Sequence, residues 1–199
     1  PLEDLFPPED RHHVMLYVQA WRKAGFDKNM WDYEPTDGFK SGAPKARADG
    51  FHVLAYMNPM ICWGDASKIE DPELQAKVKE FKANGELDPI NLELLPYAVH
   101  LNLALKSWRE YHWSQAANLI SKYGIDGIYL DCTYQTLPDG RGNIDGMNAY
   151  QGMKEYLDGL RRIKPDLYIG TEKPNELIAW GADFGLHTAL EWNKGNEEG

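Results

Sequence analysis

Two acidic residues stand where buried strands would end. The run Ile128-Tyr129-Leu130 is apolar and terminates in Asp131, and the run from Leu167 to Thr171 terminates in Glu172. A buried parallel strand reads as such a run, with a polar residue only where it emerges. In parallel α/β folds the emerging end is where ligands bind and chemistry happens. Two carboxylates on the ends of consecutive strands suit acid/base or nucleophilic work on a sugar. A carboxylate at the end of a buried strand is costly unless something uses or pairs it. The structural alternatives are a loop cap or an ion pair with Arg141 for Asp131, and a salt bridge with Lys173 for Glu172.

Other residues expected on the same face would bind rather than react. Asn58 closes an earlier apolar run that contains Tyr56, and its amide both donates and accepts, as sugar hydroxyls require. Asp32 and Tyr33 lie in the loop after the first strand, and Tyr134 follows Asp131 closely. Seven tryptophans and eleven tyrosines are many for 199 residues, and several, Trp21 and Trp63 among them, neighbour polar loop sequence. Indole faces stack on apolar sugar faces while the N–H takes a hydrogen bond. As a set these aromatics favour carbohydrate, although any single one also suits a core.

Several function classes are disfavoured. A formal charge of −10 argues against nucleic acid or an anionic membrane as partner. No apolar run is long enough to span a bilayer. The six histidines lack metal-ligand spacing, and Cys62 and Cys132 make neither a zinc signature nor a disulfide-rich pattern, though both follow strand-like runs at one sheet end. No Gly-x-Gly-x-x-Gly loop, P-loop or Gly-x-Ser-x-Gly elbow is present. The expected chemistry needs no metal or organic cofactor.

The elements that must position these residues alternate. Strands are expected at 14–20, 51–58, 127–131, 167–172 and from 183. Helices are expected at 39–49 (weakened by Pro44), 71–83 (capped by Asp71 with Pro72 first), 107–123, 148–163 and, shorter, 175–180. Residues 1–11 read as an extended lead-in, 97–105 as a strand or hairpin, and 193–199 as a frayed end. Alternation of strand and helix means a parallel α/β architecture. Four or five strands fit this length, whereas a closed eight-stranded barrel takes about 250 residues. The expected fold is therefore a partial TIM barrel, a parallel (β/α) barrel with four or five strands of eight. It would form one catalytic domain over 1–199, cut from a longer chain whose remainder completes the barrel, with 59–106 inserted on the strand-end face. A complete open doubly wound sheet is the alternative.

With these residues in hand, the chain resembles retaining α-glycosidase-type barrels over residues 25–35, 53–59, 108–132 and 167–172. The Gly-Ile-Asp-Gly-Ile-Tyr-Leu-Asp run ending at Asp131 is similar to the fourth strand of endo-α-N-acetylgalactosaminidase-like and α-galactosidase-like enzymes. The resemblance implies Asp131 as nucleophile and, as in the former group, Glu172 as acid/base. In α-galactosidase-like enzymes the acid/base comes from a later strand. Amylase-like enzymes carry Arg two residues before the nucleophile, where this chain has Tyr129, so it departs from that pattern. The implied function is hydrolysis of an oligo- or polysaccharide, with a non-catalytic carbohydrate-binding barrel as the alternative.

Overall fold

A computed structural model describes residues 4–25, 29–87, 99–136, 140, 142–173, 175–176 and 178–186. Arg141, residues 97–98 and the 193–199 tail, on which expectations were placed, lie outside the described residues.

Five strands, β1 (Met15–Val18), β2 (His52–Met57), β6 (Gly127–Leu130), β7 (Tyr168–Glu172) and β8 (Phe184–Leu186), form one sheet in that order. Every neighbouring pair is parallel, and the sheet curls into a half-barrel. Helices α1 (Asp37–Ala48), α3 (Lys106–Tyr123) and α4 (Ala149–Ile163) connect successive strands. The architecture is the partial α/β barrel that alternation implied. Between β2 and α3 the chain adds α2 (Pro72–Ala83) and a small antiparallel sheet, β3 (Ile61–Cys62), β5 (Val99–His100) and β4 (Glu86–Leu87).

Helix ends follow local chemistry. The Asp71 side chain accepts from the Glu73 N–H at the start of α2. Asn148 and Gln151 make a reciprocal capping box on α4, satisfying two N–H groups that the helix cannot. Gly124 ends α3 in a left-handed conformation, φ 65°. Pro44 sits inside α1 without breaking it.

Two local expectations are corrected. Residues Pro8–His13 form a 3-10 turn instead of an extended lead-in. The described residues of 175–180 make turns, not a helix. On α4 the core face carries Met153, Tyr156, Leu157 and Leu160, and Tyr150 is exposed. The reason is that Gly152 and Gly159 lie on the buried face, rotating it away from Tyr150. A side chain at Gly152 would run into the backbone of Leu103 and Ala104. Gly152→Val is therefore expected to cost about 3 kcal/mol or more, because backbone cannot move aside as a side chain can. Urea unfolding measures this, and an unchanged midpoint would contradict the packing.

The core fills the space between the sheet's outer face and the helices, with Val53, Ala55, Met57, Ile128, Leu130 and Ile169 against Trp108, Leu119, Met153 and Leu160. Strand side chains alternate with period two, so Tyr56, Tyr129, Asp131 and Glu172 belong to the opposite, concave face. Tyr17 shares it, with its ring 4.8 Å from that of Tyr129.

The strands' other end is stapled twice in the same way. Asp126, just before β6, accepts from Val53 N–H (3.0 Å) and Arg47 Nε (2.9 Å) and donates its own N–H to Val53 O (2.9 Å). Asp183, just before β8, accepts from Ile169 N–H (2.7 Å) and Arg161 (2.8 Å) and donates to Ile169 O (2.8 Å). Each aspartate thus ties two neighbouring strands to the helix that precedes the first of them, α1 for Asp126 and α4 for Asp183, which holds this end of the sheet in register.

Candidate active site at the strand ends

The strand-end positions of Asp131 and Glu172 bring their carboxylates together. Asp131 directly follows β6, and its N–H still pairs with Met57 O on β2 at 2.9 Å. Glu172 is the last residue of β7, the next strand in the sheet. One oxygen from each carboxylate and the Cys132 sulfur lie within 4.8 Å of one another.

Strand register creates this closeness, since Leu130 on β6 pairs with Thr171 on β7 and the carboxylates are the next residues of each. Cys132 and Lys173, the residues immediately after the two carboxylates, both adopt the left-handed region, at φ 56° and 45°. For residues other than glycine this costs about 1–2 kcal/mol each, and such strain clusters at functional sites. At Cys132 the turn aims the backbone N–H at Glu172 Oε2, 3.1 Å away. Thr133 Oγ1 then donates to Glu172 O at 2.8 Å, tying the following 3-10 turn, Thr133–Gln135, to β7.

Asp131 Oδ2 accepts from the Tyr56 phenol at 2.7 Å and, at longer range, from Asn58 Nδ2 at 3.4 Å. Burial raises the Asp131 pKa to about 6, and a hydrogen bond with Glu172 and that group's negative charge push the same way. The Tyr56 phenol and the Cys132 N–H pull it back. Two carboxylates this close titrate as a unit, with a proton held in common. Tyr56, Tyr129 and Tyr17 have phenols pushed well above their ordinary pKa, chiefly by burial and then by neighbouring charge, so all three are neutral donors.

The remaining sequence candidates divide. Tyr56 reaches the pair, but it is 1% exposed and touches Asp131, so it offers no surface to a sugar. Asn58 is equally buried, and its Oδ1 is taken by the N–H groups of Met60 and Ile61. Tyr134 is exposed on the 3-10 turn beside the pair, with the Lys173 ammonium 4.3 Å over its ring. Trp21 is wholly buried against Phe39 and Tyr33, and its indole N–H donates to Tyr56 O at 2.7 Å. A sugar-stacking role for Trp21 is thereby corrected to a core role. Tyr33 is likewise buried, hydrogen-bonded at 3.0 Å to His112, whose pKa burial lowers to about 3. Asp32 and Tyr33 line a separate groove of about 420 Å³ against α2 and α3. Trp63 is half-buried, and its carbonyl accepts from Met30 N–H.

Reading the sequence missed Cys132 and Lys173 as site residues. The signal was adjacency: each directly follows a carboxylate at a strand end. Cys62 and Cys132 are both free thiols. Asp131, Cys132 and Glu172 are also the one set of described residues grouped closely enough to hold a metal ion. Burial pushes the Cys132 thiol and the Asp131 carboxyl toward their protonated forms, which a metal would have to displace.

Comparison with solved structures supports the same architecture. An Anoxybacillus α-amylase superposes with a TM-score of 0.63 at 14% identity, over 94% of this chain and 44% of that one. A Thermus thermophilus α-galactosidase gives 0.60 at 15%, over 89% and 36%. The glycoside hydrolase domain of PelA from Pseudomonas aeruginosa gives 0.54 at 18%, over 86% and 64%. At these identities the likeness concerns the fold, which is glycosidase-like, and the chain spans less than two thirds of each of these structures. No curated protein gives a match. Residues 10–141, more than half of the chain, match a family of shared descent, and the chain belongs to that family, described as Domain of unknown function (DUF6259).

Proposed function

We propose that this half-barrel carries the catalytic pair of a retaining glycoside hydrolase, with Asp131 as nucleophile and Glu172 as acid/base. The observation that carries the reading is the approach of the two carboxylates to within 4.8 Å at the strand ends of a glycosidase-like fold. Retaining pairs stand about 5–5.5 Å apart and inverting pairs roughly 6.5–9.5 Å, to admit a water. An approach this close falls short of the inverting range, which supports the retaining reading. An Asp131 oxygen attacks the anomeric carbon, the glycosidic C–O bond breaks, and Glu172 gives its proton to the departing oxygen. Glu172 then takes a proton from water, whose oxygen displaces Asp131 and releases the sugar.

Tyr134 is the best-placed sugar contact, exposed beside the pair. The catalytic domain extends, on this reading, beyond the described half-barrel. Strands β1 and β8 form the ends of the five-stranded sheet, and Tyr17, Tyr168 and Leu186 leave apolar surface exposed near them. Further β/α units would cover both, and the segment between β2 and α3 would then overhang the strand-end face. The reading of a non-catalytic carbohydrate-binding module has less support, because Trp21, Trp31 and Trp108, which it would use, are buried.

The test is a screen of p-nitrophenyl α- and β-glycosides and oligosaccharides, with proton NMR of the first anomer released. Retention of configuration, together with a loss of about 10²–10⁴-fold in Glu172→Gln, is the expected result. Inversion would overturn the retaining assignment, and saccharide binding without turnover would favour the binding module.

A further inference from the structure

Asp131 is fixed from behind by a chain of contacts that begins in the core. Trp21, wholly buried, donates its indole N–H to the carbonyl of Tyr56 at 2.7 Å. Tyr56 in turn points its phenol at Asp131 Oδ2, also at 2.7 Å. Asn58, two residues on and on the same face, donates to that oxygen at 3.4 Å, and its own orientation is locked by the N–H groups of Met60 and Ile61 at 3.0 and 3.1 Å. Both donors therefore converge on one carboxylate oxygen. A carboxylate held by a short phenol hydrogen bond loses rotational freedom about its terminal torsion, which is otherwise broad. A nucleophile gains from this, since misplacement by about 1 Å costs on the order of 10²-fold in rate.

Resting on the hydrolase reading above, we propose that Tyr56 is a positioning residue that clamps Oδ2 of Asp131 and leaves Oδ1 as the attacking atom. Two other groups also hydrogen-bond to Asp131, Glu172 and Cys132 (through its N–H and its thiol), but neither sits behind the carboxylate on β2 as Tyr56 does. Glu172 from β7 is an acid partner, Tyr17 from β1 and Tyr129 from β6 act on Asp131 only through space, and Cys132 is held at its sulfur by Asn58 at 3.5 Å. Tyr56 also lies in register with Tyr129 across β2 and β6, so its backbone is set by the sheet independently of the phenol. Removing the hydroxyl alone should leave the strand in place.

The deciding experiment compares the full chain with Tyr56→Phe by crystallography and kinetics. In the crystal structure of Tyr56→Phe the Asp131 carboxylate should rotate away from its present position, with the thermal midpoint within a few degrees of the parent. On whichever p-nitrophenyl glycoside the parent cleaves, kcat should fall by about 10²-fold while KM stays nearly constant. An unmoved Asp131 carboxylate overturns the proposal whether or not a substrate is known. A rise in KM with kcat preserved also overturns it, making Tyr56 a ground-state sugar contact instead. If Asp131 rotates but the parent cleaves nothing, the clamp stands and it is the hydrolase reading that fails. If Tyr56→Phe does not fold, Asn58→Ser provides the second reading of the same oxygen. A shift of the Asp131 carboxylate there supports convergence on Oδ2, and no shift contradicts it.

Discussion

Asp131→Asn is expected to abolish turnover and, at neutral pH, to make the protein more stable. The first effect follows from the proposed covalent step. Asparagine keeps the shape and can still accept from Tyr56, but it cannot attack the anomeric carbon, so kcat should fall by about 10⁴-fold or more. The second follows from the raised pKa, about 6 in the folded chain against an ordinary 3.8. Well below pH 4 the carboxyl is protonated in both folded and unfolded states and contributes nothing. Between about pH 4 and 6 the folded state keeps a proton that the unfolded state has lost, so stability falls as pH rises through this window. Above pH 6 the full penalty is present. It amounts to roughly 2 kcal/mol, since part of the shift belongs to the pair and not to Asp131 alone. Urea midpoints at pH 7 and pH 3 test this: Asp131→Asn should gain at pH 7 and show almost no gain at pH 3. Wild-type turnover in the variant would remove Asp131 from the mechanism, and a lower midpoint at pH 7 would make it a structural anion.

Trp21→Ala is expected to destabilise the fold by about 3–5 kcal/mol, the range for truncating a fully buried tryptophan. Its ring packs on Phe39 and Tyr33 beneath β2, and its N–H satisfies Tyr56 O. Trp21→Phe should recover much of the packing but leave that hydrogen bond unmade, a cost of about 1–3 kcal/mol for a buried group. A sugar-stacking tryptophan would behave oppositely, leaving the urea midpoint in place and weakening substrate binding. The pair of variants therefore separates a core role from a binding role by stability alone, before any substrate is known.

The contrast between Asp126 and Asp131 illustrates how much could be read from residues alone. They are five apart in one short run and chemically identical. Asp126 precedes the strand and serves as a structural staple with Arg47 and Val53, whereas Asp131 follows it and meets Glu172. Position relative to the apolar run was enough to place Asp131 at the strand end. Nothing local revealed that Asp126 would take a neighbouring strand's N–H. Its partners lie 73 and 79 residues away. Tyr33 and Trp21 failed as candidates for a similar reason. Their loop is polar in composition, yet it folds back onto α1 and α3 and buries their rings.

The sequence by itself determined the α/β alternation, the cap at Asp71, the stop at Gly124, and the two carboxylates at strand ends. Each of these rests on a pattern or hydrogen bond spanning only a few residues, so local chemistry suffices. The tertiary structure alone decided that Tyr56 faces Asp131 instead of a sugar, that Trp21 supports it from the core, and that the left-handed Cys132 turns its N–H to Glu172. Those outcomes depend on strand register and sheet curl, which join residues 35 to 75 positions apart and are set by the packing of the whole half-barrel.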